Sequence, residues 1–156
     1  MPDVLYRQAK LCDVAAMACI RAAERESEEY WRLRISAYLE GRHHPRLARA
    51  SRVLYVASQS DTLVGFIAGH LTRRYACDGE LQWIDVIGEH RRSGIASQLV
   101  RHLAAWFVQW GALRICVDVQ PANNVARAFY ARHGAETLNR HWVWNDIHVV
   151  LGQQNL

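Results

Sequence analysis

The chain has 156 residues, of which 51% are hydrophobic and 22% charged, and this length and composition are typical of one globular domain. We therefore expect residues 1–156 to form a single domain. The chain has no apolar run of membrane-spanning length and no signal-like N-terminus, so we expect a cytoplasmic protein without membrane contact. The net charge of +4 suits an anionic ligand, whereas the lack of a dense basic run with interleaved aromatics disfavours nucleic acid as the partner.

The hydrophobic pattern predicts strands and helices that alternate along the chain. Strands are predicted over Val4–Gln8, Arg52–Ser58, Leu63–Thr72, Glu80–Ile87, Leu113–Gln120 and Arg140–Asn145. Helices are predicted over residues 13–25, 28–40, 94–110 and 123–133. We expect Asp13 and Ser27 to cap the first two helices, a turn over residues 59–62, and a loop or broken helix over residues 41–51. Residues 147–151 either extend or follow the last strand.

The order β, α, α, β, β, β, α, β, α, β predicts a mixed α/β fold with an antiparallel front half. The strand–helix–strand unit from Glu80 to Gln120 should bring its two strands parallel or splay them apart. The four cysteines form no C-x-x-C pair, and the histidine pair at positions 43 and 44 has no evident third ligand. We therefore expect reduced thiols and no metal site.

A short turn between the strand at Trp83–Ile87 and the following helix carries the sequence Arg91-Arg92-Ser93-Gly94-Ile95-Ala96. Backbone N–H groups at a helix start have no intrahelical partner, and the helix dipole adds positive charge there. Gly94 lets the backbone approach a ligand closely because it has no Cβ atom. This turn predicts a site for a phosphate-bearing ligand.

A second motif follows the strand that ends near Gln120. It runs from Asn123 to Ala135 as NNVARAFYARHGA. The first motif is similar to the Arg/Gln-x-x-Gly-x-Gly/Ala motif of the GNAT superfamily of N-acetyltransferases. The second resembles that family's Asn-x-x-Ala-x-x-Phe/Leu-Tyr-x-x-x-Gly-Phe pattern, with Ala135 in place of the final Phe. The resemblance covers roughly residues 52–144.

The resemblance implies the GNAT fold, a central and mostly antiparallel sheet with a splayed parallel pair flanked by helices. It also implies acetyl-coenzyme A as the acetyl donor and a primary amine as the acceptor. In that reading the backbone from Arg92 through Ala96, including Ser93, Gly94 and Ile95, holds the pyrophosphate, and Arg91 and Arg92 add charge-assisted contacts. The pantetheine arm would pair with exposed backbone at Val86 and Ile87.

The same resemblance suggests roles in the chemistry. Tyr130 would protonate the leaving thiolate, since its reference pKa near 10 is comparable with that of a thiol. Asn123 would hydrogen-bond the cofactor arm, with a plain helix cap as its alternative role. Glu80 is the candidate base because it shares strand parity with Val86, whereas Asp85 has the opposite parity if the strand is regular.

The sequence leaves several alternatives open. The acceptor is a small molecule or a peptide, and a longer acyl donor is possible. A non-catalytic acyl-coenzyme A-binding module of the same fold is the first functional alternative, and a nucleic-acid-binding protein is the second. The strand containing Trp142 and Trp144 would be a sheet edge available for a homodimer.

Overall fold

The computed structural model describes residues 3–152, in which a seven-stranded mixed sheet carries helices on both faces. The strands are β1 Val4–Gln8, β2 Ala48–Gln59, β3 Thr62–Thr72, β4 Gly79–Val86, β5 Ile115–Asp118, β6 Glu136–Leu138 and β7 His141–Trp144. The helices are α1 Val14–Ala22, α2 Glu28–Leu39, α3 Ile95–Gln109, α4 Asn124–Arg132 and α5 His148–Gly152. No helix within residues 3–152 is both long and apolar enough to cross a bilayer.

The strand order in the sheet is β1-β2-β3-β4-β5-β7-β6. All neighbouring pairs are antiparallel except β4 and β5, which are parallel. The predicted mixed fold, with an antiparallel front half and one parallel pair, is confirmed. Helix α3 makes the crossover between the parallel strands, as a βαβ connection requires.

Local signals fix several boundaries as predicted. Ser27 caps α2 by accepting a hydrogen bond from the Tyr30 N–H at 3.2 Å. Ser60 and Asp61 both have positive φ between β2 and β3, which is the geometry of a type I′ hairpin turn and matches the twist of the two strands.

Other predictions are wrong in detail. The predicted loop ends earlier than expected, because β2 begins at Ala48, which pairs with Thr72. Strand β5 is shorter than its predicted range, since Leu113 lies before it and is exposed. Strand β6 was not predicted, because all three of its residues are exposed and give no alternating pattern. Residues 148–152 form a helix after the last strand.

The strand with Trp142 and Trp144 is not a sheet edge. It is β7, and it lies between β5 and the unpredicted β6. Trp144 is fully buried, and its indole N–H donates to the His133 carbonyl at 2.9 Å. The prediction of a dimer edge at these tryptophans is therefore wrong.

Asp13 does not cap α1 with its side chain. A single turn of 3₁₀ helix over Leu11–Asp13 precedes α1, and the Asp13 carboxylate accepts from the Lys10 N–H at 2.8 Å. The same carboxylate receives two hydrogen bonds from Arg7, at 2.7 and 2.9 Å. Asp13 thus joins β1 to the start of α1.

Two apolar cores lie on opposite faces of the sheet. Helix α3 packs on one face, which we call the α3 face; its core includes Leu81, Val86, Leu99, Leu103 and Phe107. Helices α1 and α2 cover the other face, which we call the α1/α2 face; its core includes Met17, Trp31, Tyr38, Phe66 and Trp83.

Candidate active site

The parallel strands β4 and β5 pair over only two residues before they separate. Gly79 pairs with Ile115 and Glu80 pairs with Cys116. Beyond this point the strands enclose a cleft of about 550 Å³. Its walls are formed by residues from α1, β4, the end of β5 and α4: Arg21, Arg25, Leu81, Gln82, Trp83, Ile84, Val117, Asp118, Val119, Gln120, Pro121, Asn123, Ala126 and Tyr130.

A β-bulge in β4 accompanies this separation. Gly69 pairs with Leu81 and Ala68 pairs with Trp83, so Gln82 has no partner on β3. The extra residue bends the strand and increases its twist. As a result, β4 residues before Gln82, such as Glu80, lie on the opposite face, relative to Val86, from the one that a regular strand would give them.

The reversed parity corrects the predicted orientation of Glu80 and leaves Asp85 on the face opposite to Val86, as predicted. Paired residues lie on the same face of a sheet. Glu80 pairs with His70 and Asp85 pairs with Phe66, so both carboxylates are on the α1/α2 face. Val86 belongs to the core on the α3 face. Glu80 therefore does not share a face with Val86, whereas Asp85 does share a face with Glu80.

The predicted phosphate turn leads directly into α3. Arg92 and Gly94 have φ of 67° and 86°, and the Ser93 hydroxyl donates to the His90 carbonyl. Helix α3 then begins at Ile95, so its first backbone N–H groups have no intrahelical acceptor. The space where a Cβ of residue 94 would lie contains no protein atom within 4 Å. The turn therefore offers N–H donors and room for an anion.

The backbone beside this turn is available at one of the two predicted positions. The Ile87 N–H donates to the Val64 carbonyl on β3, and the Ile87 carbonyl accepts from the His90 N–H. Because successive residues of an antiparallel strand point their backbone groups to opposite sides, the Val86 N–H is directed towards the cleft. A strand-like ligand can thus accept a hydrogen bond from the Val86 N–H, whereas both backbone groups of Ile87 are already paired.

The Arg91 side chain contacts the end of β4. Its Nε donates to the Val86 carbonyl at 3.1 Å, and its Nη1 lies 3.8 Å from the Glu24 carboxylate. This arginine fastens the turn to β4 and to the end of α1. Arg92 is exposed beside the helix start.

Tyr130 lies on α4 and is buried, with its ring edge-to-face against Trp144 at 5.6 Å. It also forms part of the cleft wall. Burial raises the pKa of Tyr130, the negative charge of Asp85 raises it further, and Arg21 opposes the rise. Within residues 3–152 its hydroxyl has no hydrogen-bond partner, so a protonated phenol is available to a ligand in the cleft.

Asn123 caps α4. Its Oδ1 accepts from the Ala126 N–H at 3.1 Å, and the residue lies on the cleft wall. The cap uses only the amide oxygen. The amide nitrogen has two further N–H donors that a ligand in the cleft can use.

A chain of buried polar groups runs beneath the closed end of the cleft. The Tyr38 hydroxyl lies 2.8 Å from His70 Nδ1, and His70 Nε2 lies 3.1 Å from Glu80 Oε1. Arg74 Nη1 contacts Glu80 Oε2 at 2.9 Å and Asp118 Oδ2 at 2.8 Å. Glu80 is buried and is not part of the cleft wall, whereas the Asp118 side chain is 49% exposed and belongs to that wall.

Arg21 of α1 and Arg25, which lies three residues beyond the end of α1, contact one aspartate at the opposite wall. Arg21 Nη1 lies 2.6 Å from Asp85 Oδ2, and Arg25 Nη1 lies 3.0 Å from Asp85 Oδ1. The Arg21 guanidinium stacks over the Trp31 ring at 4.5 Å. The sequence did not single out Arg21, Arg25 or Asp118.

Within residues 3–152, no three histidine, cysteine, aspartate or glutamate side chains come together as a metal-binding group. Cys77 and Cys116 are neighbouring buried free thiols, and Cys12 and Cys19 are exposed free thiols. The His43 carbonyl and the His44 ring both contact Arg52.

Comparison with known proteins gives consistent results. The family model of the acetyltransferase (GNAT) family matches residues 17–135. No curated protein sequence matches the chain. A putative GNAT-family acetyltransferase from Desulfovibrio desulfuricans has a similar structure, with a TM-score of 0.73 and 15% identity, over 91% of this chain and 96% of that chain.

Two further solved structures have the same fold. An aminoglycoside 6′-N-acetyltransferase from Acinetobacter haemolyticus gives a TM-score of 0.72 at 18% identity, over 85% of this chain and 91% of that chain. An N-acetyltransferase from Thermoplasma acidophilum, in complex with coenzyme A, gives a TM-score of 0.63 at 20% identity, over 90% of this chain and 96% of that chain.

Proposed function

The chain belongs to the GNAT family of acetyltransferases, and from this we propose that it transfers an acetyl group from acetyl-coenzyme A to a primary amine by direct attack, without an acyl-enzyme. The proposal takes residues 1–156 as one catalytic domain. The observation that carries it is the cleft that runs between the diverging strands β4 and β5 and has Tyr130 on its wall.

The turn before α3 is the proposed pyrophosphate site. Its N–H groups from Arg92 to Ala96 and the positive end of the helix dipole suit a doubly charged phosphate pair. The open space at Gly94 supports this fit. The Val86 N–H and the Asn123 amide then face the arm that leads to the thioester, and the Val86 N–H is the candidate donor to the developing oxyanion.

The proposed reaction forms one covalent bond and breaks another. The amine nitrogen forms a bond to the thioester carbonyl carbon, and the carbon–sulfur bond then breaks. The ammonium proton leaves to a base, and the Tyr130 hydroxyl donates to the departing thiolate. Because burial raises its pKa, Tyr130 stays protonated at neutral pH and is available as this donor.

Two carboxylates are candidates for the base. Glu80, predicted from the sequence, has both oxygens occupied by His70 and Arg74. Asp118 is linked to Glu80 through Arg74 and accepts a longer hydrogen bond from the Tyr75 hydroxyl at 3.4 Å, but its side chain is half-exposed and lies on the cleft wall. This geometry favours Asp118, acting directly or through one water molecule. In this arrangement Glu80 holds Arg74 in position.

Calorimetry with acetyl-coenzyme A, coenzyme A and a longer acyl-coenzyme A tests the donor. We expect micromolar binding of acetyl-coenzyme A that is lost in Gly94→Glu, because the new carboxylate repels the pyrophosphate. Gly94→Gln is the matched control, since it places a side chain of similar size at the same positive φ without the negative charge, and it should retain more of the binding. The absence of binding to all three compounds would overturn the proposal.

Turnover separates an enzyme from a binding module. We expect Tyr130→Phe to lower kcat about 10²-fold or more while leaving the Kd for acetyl-coenzyme A within about twofold. A variant with unchanged turnover would remove Tyr130 from the mechanism. If the wild-type chain binds acetyl-coenzyme A but acetylates no amine in a broad panel, a non-catalytic module becomes the better description.

A further inference from the structure

The wall of the cleft formed by α1 and β4 carries one unbalanced positive charge. Asp85 is the single carboxylate that contacts both Arg21 and Arg25. The Arg25 side chain is 37% exposed, so part of its guanidinium is free to meet a ligand. Glu26 lies near Arg21 but is exposed and forms no ion pair with either arginine among the described residues.

Arg21 is held rigidly and has an unused donor. Its side chain is only 14% exposed and stacks between the rings of Trp31 and Trp83, at 4.5 and 5.6 Å. Its Nε atom is buried and has no hydrogen-bond partner within residues 3–152. A buried donor without a partner is costly, and a bound acceptor group would relieve that cost.

The wall formed by β5 carries an excess of negative charge. Here Arg74 is the single guanidinium that contacts both Glu80 and Asp118. Glu80 is buried, whereas Asp118 is half-exposed on the cleft wall. The excess negative charge is therefore presented to the cleft by Asp118.

We propose that the acceptor is a zwitterion, an amino acid or a similar molecule, whose carboxylate binds Arg21 and Arg25 and whose amine lies beside Asp118. This inference rests on the proposed function, and it names the substrate class. Arginine suits a carboxylate because its planar N–H groups match the two oxygens. A polycationic acceptor would meet unfavourable charge at the Arg21 wall.

The anionic groups of coenzyme A are the other possible partners of these arginines. The turn at residues 92–96 already provides a phosphate site, and it precedes α3. Arg21 instead contacts Trp31, Trp83 and Asp85 on the α1/α2 face. This placement favours the acceptor as their partner, and the affinity for coenzyme A tests the choice.

The experiment uses the full chain and measures the release of coenzyme A thiol. The acceptors tested are the common L-amino acids and their carboxyl-terminal amides. Spermidine and an aminoglycoside serve as amines that have no carboxylate. We expect the best acceptor to be a free amino acid whose amide has a kcat/KM about 10- to 100-fold lower, the usual effect of losing a charge-assisted hydrogen bond.

Substitutions test which side chain binds the carboxylate of the acceptor. Arg25→Gln should lower kcat/KM for the free amino acid about tenfold or more, mainly through KM, and should leave its amide nearly unchanged. Arg25→Lys should restore part of the difference. Arg49→Gln, an equal charge change at an exposed residue of β2, should have no effect. Arg25 is partly exposed, so its replacement leaves the Arg21–Asp85 pair in place.

The outcomes separate this inference from the proposed function. Equal rates with acid and amide, a carboxylate-free amine as the best acceptor, or no transfer to any amino acid would overturn it, even if acetyl-coenzyme A binds. A tenfold loss of coenzyme A affinity in Arg25→Gln would assign the arginine to the cofactor and also overturn it. If acetyl-coenzyme A does not bind the wild-type chain, the proposed function fails and the inference fails with it.

Discussion

The two faces of the sheet differ in chemistry although both are buried. The α3 face is an apolar core in which Leu99, Leu103 and Phe107 meet side chains of β3 and β4. The α1/α2 face combines an apolar core with ionisable groups, among them the buried pair His70 and Glu80.

This difference assigns separate tasks to the two faces. Apolar burial is non-directional and gives stability, so the α3 face secures the sheet and the start of α3. Buried ion pairs add little net stability but are costly to break. Their presence on the α1/α2 face is therefore explained better by a role in the charged cleft that they border than by a contribution to stability. Variants at apolar positions of the α3 face that lie away from the cleft should change stability alone, and variants of the ionisable groups on the α1/α2 face should change activity or pH dependence as well.

The largest expected effect is on the α3 face. Phe107 is almost fully buried at the closed end of the β4–β5 pair, where it packs against Gly79. Phe107→Ala should lower the free energy of unfolding by about 3–5 kcal/mol, measured by denaturant titration. Val125→Ala, at a position that is 83% exposed, is the control and should change it little. A loss below about 1 kcal/mol in Phe107→Ala would mean that this face does not carry the stability.

A paired test on the other face separates positioning from chemistry. Glu80→Gln should destabilise the fold by about 2–3 kcal/mol, because Arg74 and His70 lose a charged partner. Asp118→Asn should cost little stability, since its side chain is half-exposed, but should lower kcat about 10²-fold. Denaturation and steady-state kinetics check the pair. The opposite pattern, with kcat lost only in Glu80→Gln, would support the sequence-based choice of base.

A smaller effect should depend on pH. The hydrogen bonds from Arg7 lower the pKa of Asp13, so its contribution to stability is present above the ordinary carboxyl pKa and is lost as the pH falls through the lowered value. Asp13→Asn should therefore cost about 1–2 kcal/mol near pH 7. The difference from wild type should shrink below about pH 4. Denaturation at several pH values measures it, and a difference that does not vary with pH would contradict an ionic contribution.

The smallest expected effect is at the start of α2. Ser27→Ala removes the oxygen that accepts from the Tyr30 N–H and should cost about 1 kcal/mol. Ser36→Ala is the matched control in the same helix, because the Ser36 hydroxyl contacts only the Leu33 carbonyl of its own helix. Thermal unfolding measures the stability of both variants. Equal losses of stability in the two would show that the cap does not contribute.

The predictable parts of the molecule are those in which neighbouring residues determine the geometry. The turn at Ser60 and Asp61, the cap at Ser27 and the glycine turn before α3 all depend on residues within a few positions of one another. The order of strands and helices along the chain, apart from β6, followed from such local signals together with the family resemblance. For the same reason, the three exposed residues of β6 gave no signal.

The acceptor side was not predictable because distant residues form it. Arg21 and Asp85 are 64 positions apart, yet they make a direct ion pair. The bulge at Gln82 has no marker in the sequence, and without it Glu80 was assigned to the face of Val86, whereas the opposite orientation of Asp85 and Val86 was predicted correctly. Tertiary packing decides both features.

The bulge also determines what a deletion of Gln82 would do to the protein. Gln82 is the extra residue of β4, so its removal would leave every pairing between β3 and β4 intact and every neighbouring side chain on its present face. Only the local bend would disappear, and a straighter β4 would continue alongside β5 and narrow the cleft. We therefore expect an in-frame deletion of the Gln82 codon to leave a folded protein whose candidate cleft is narrower.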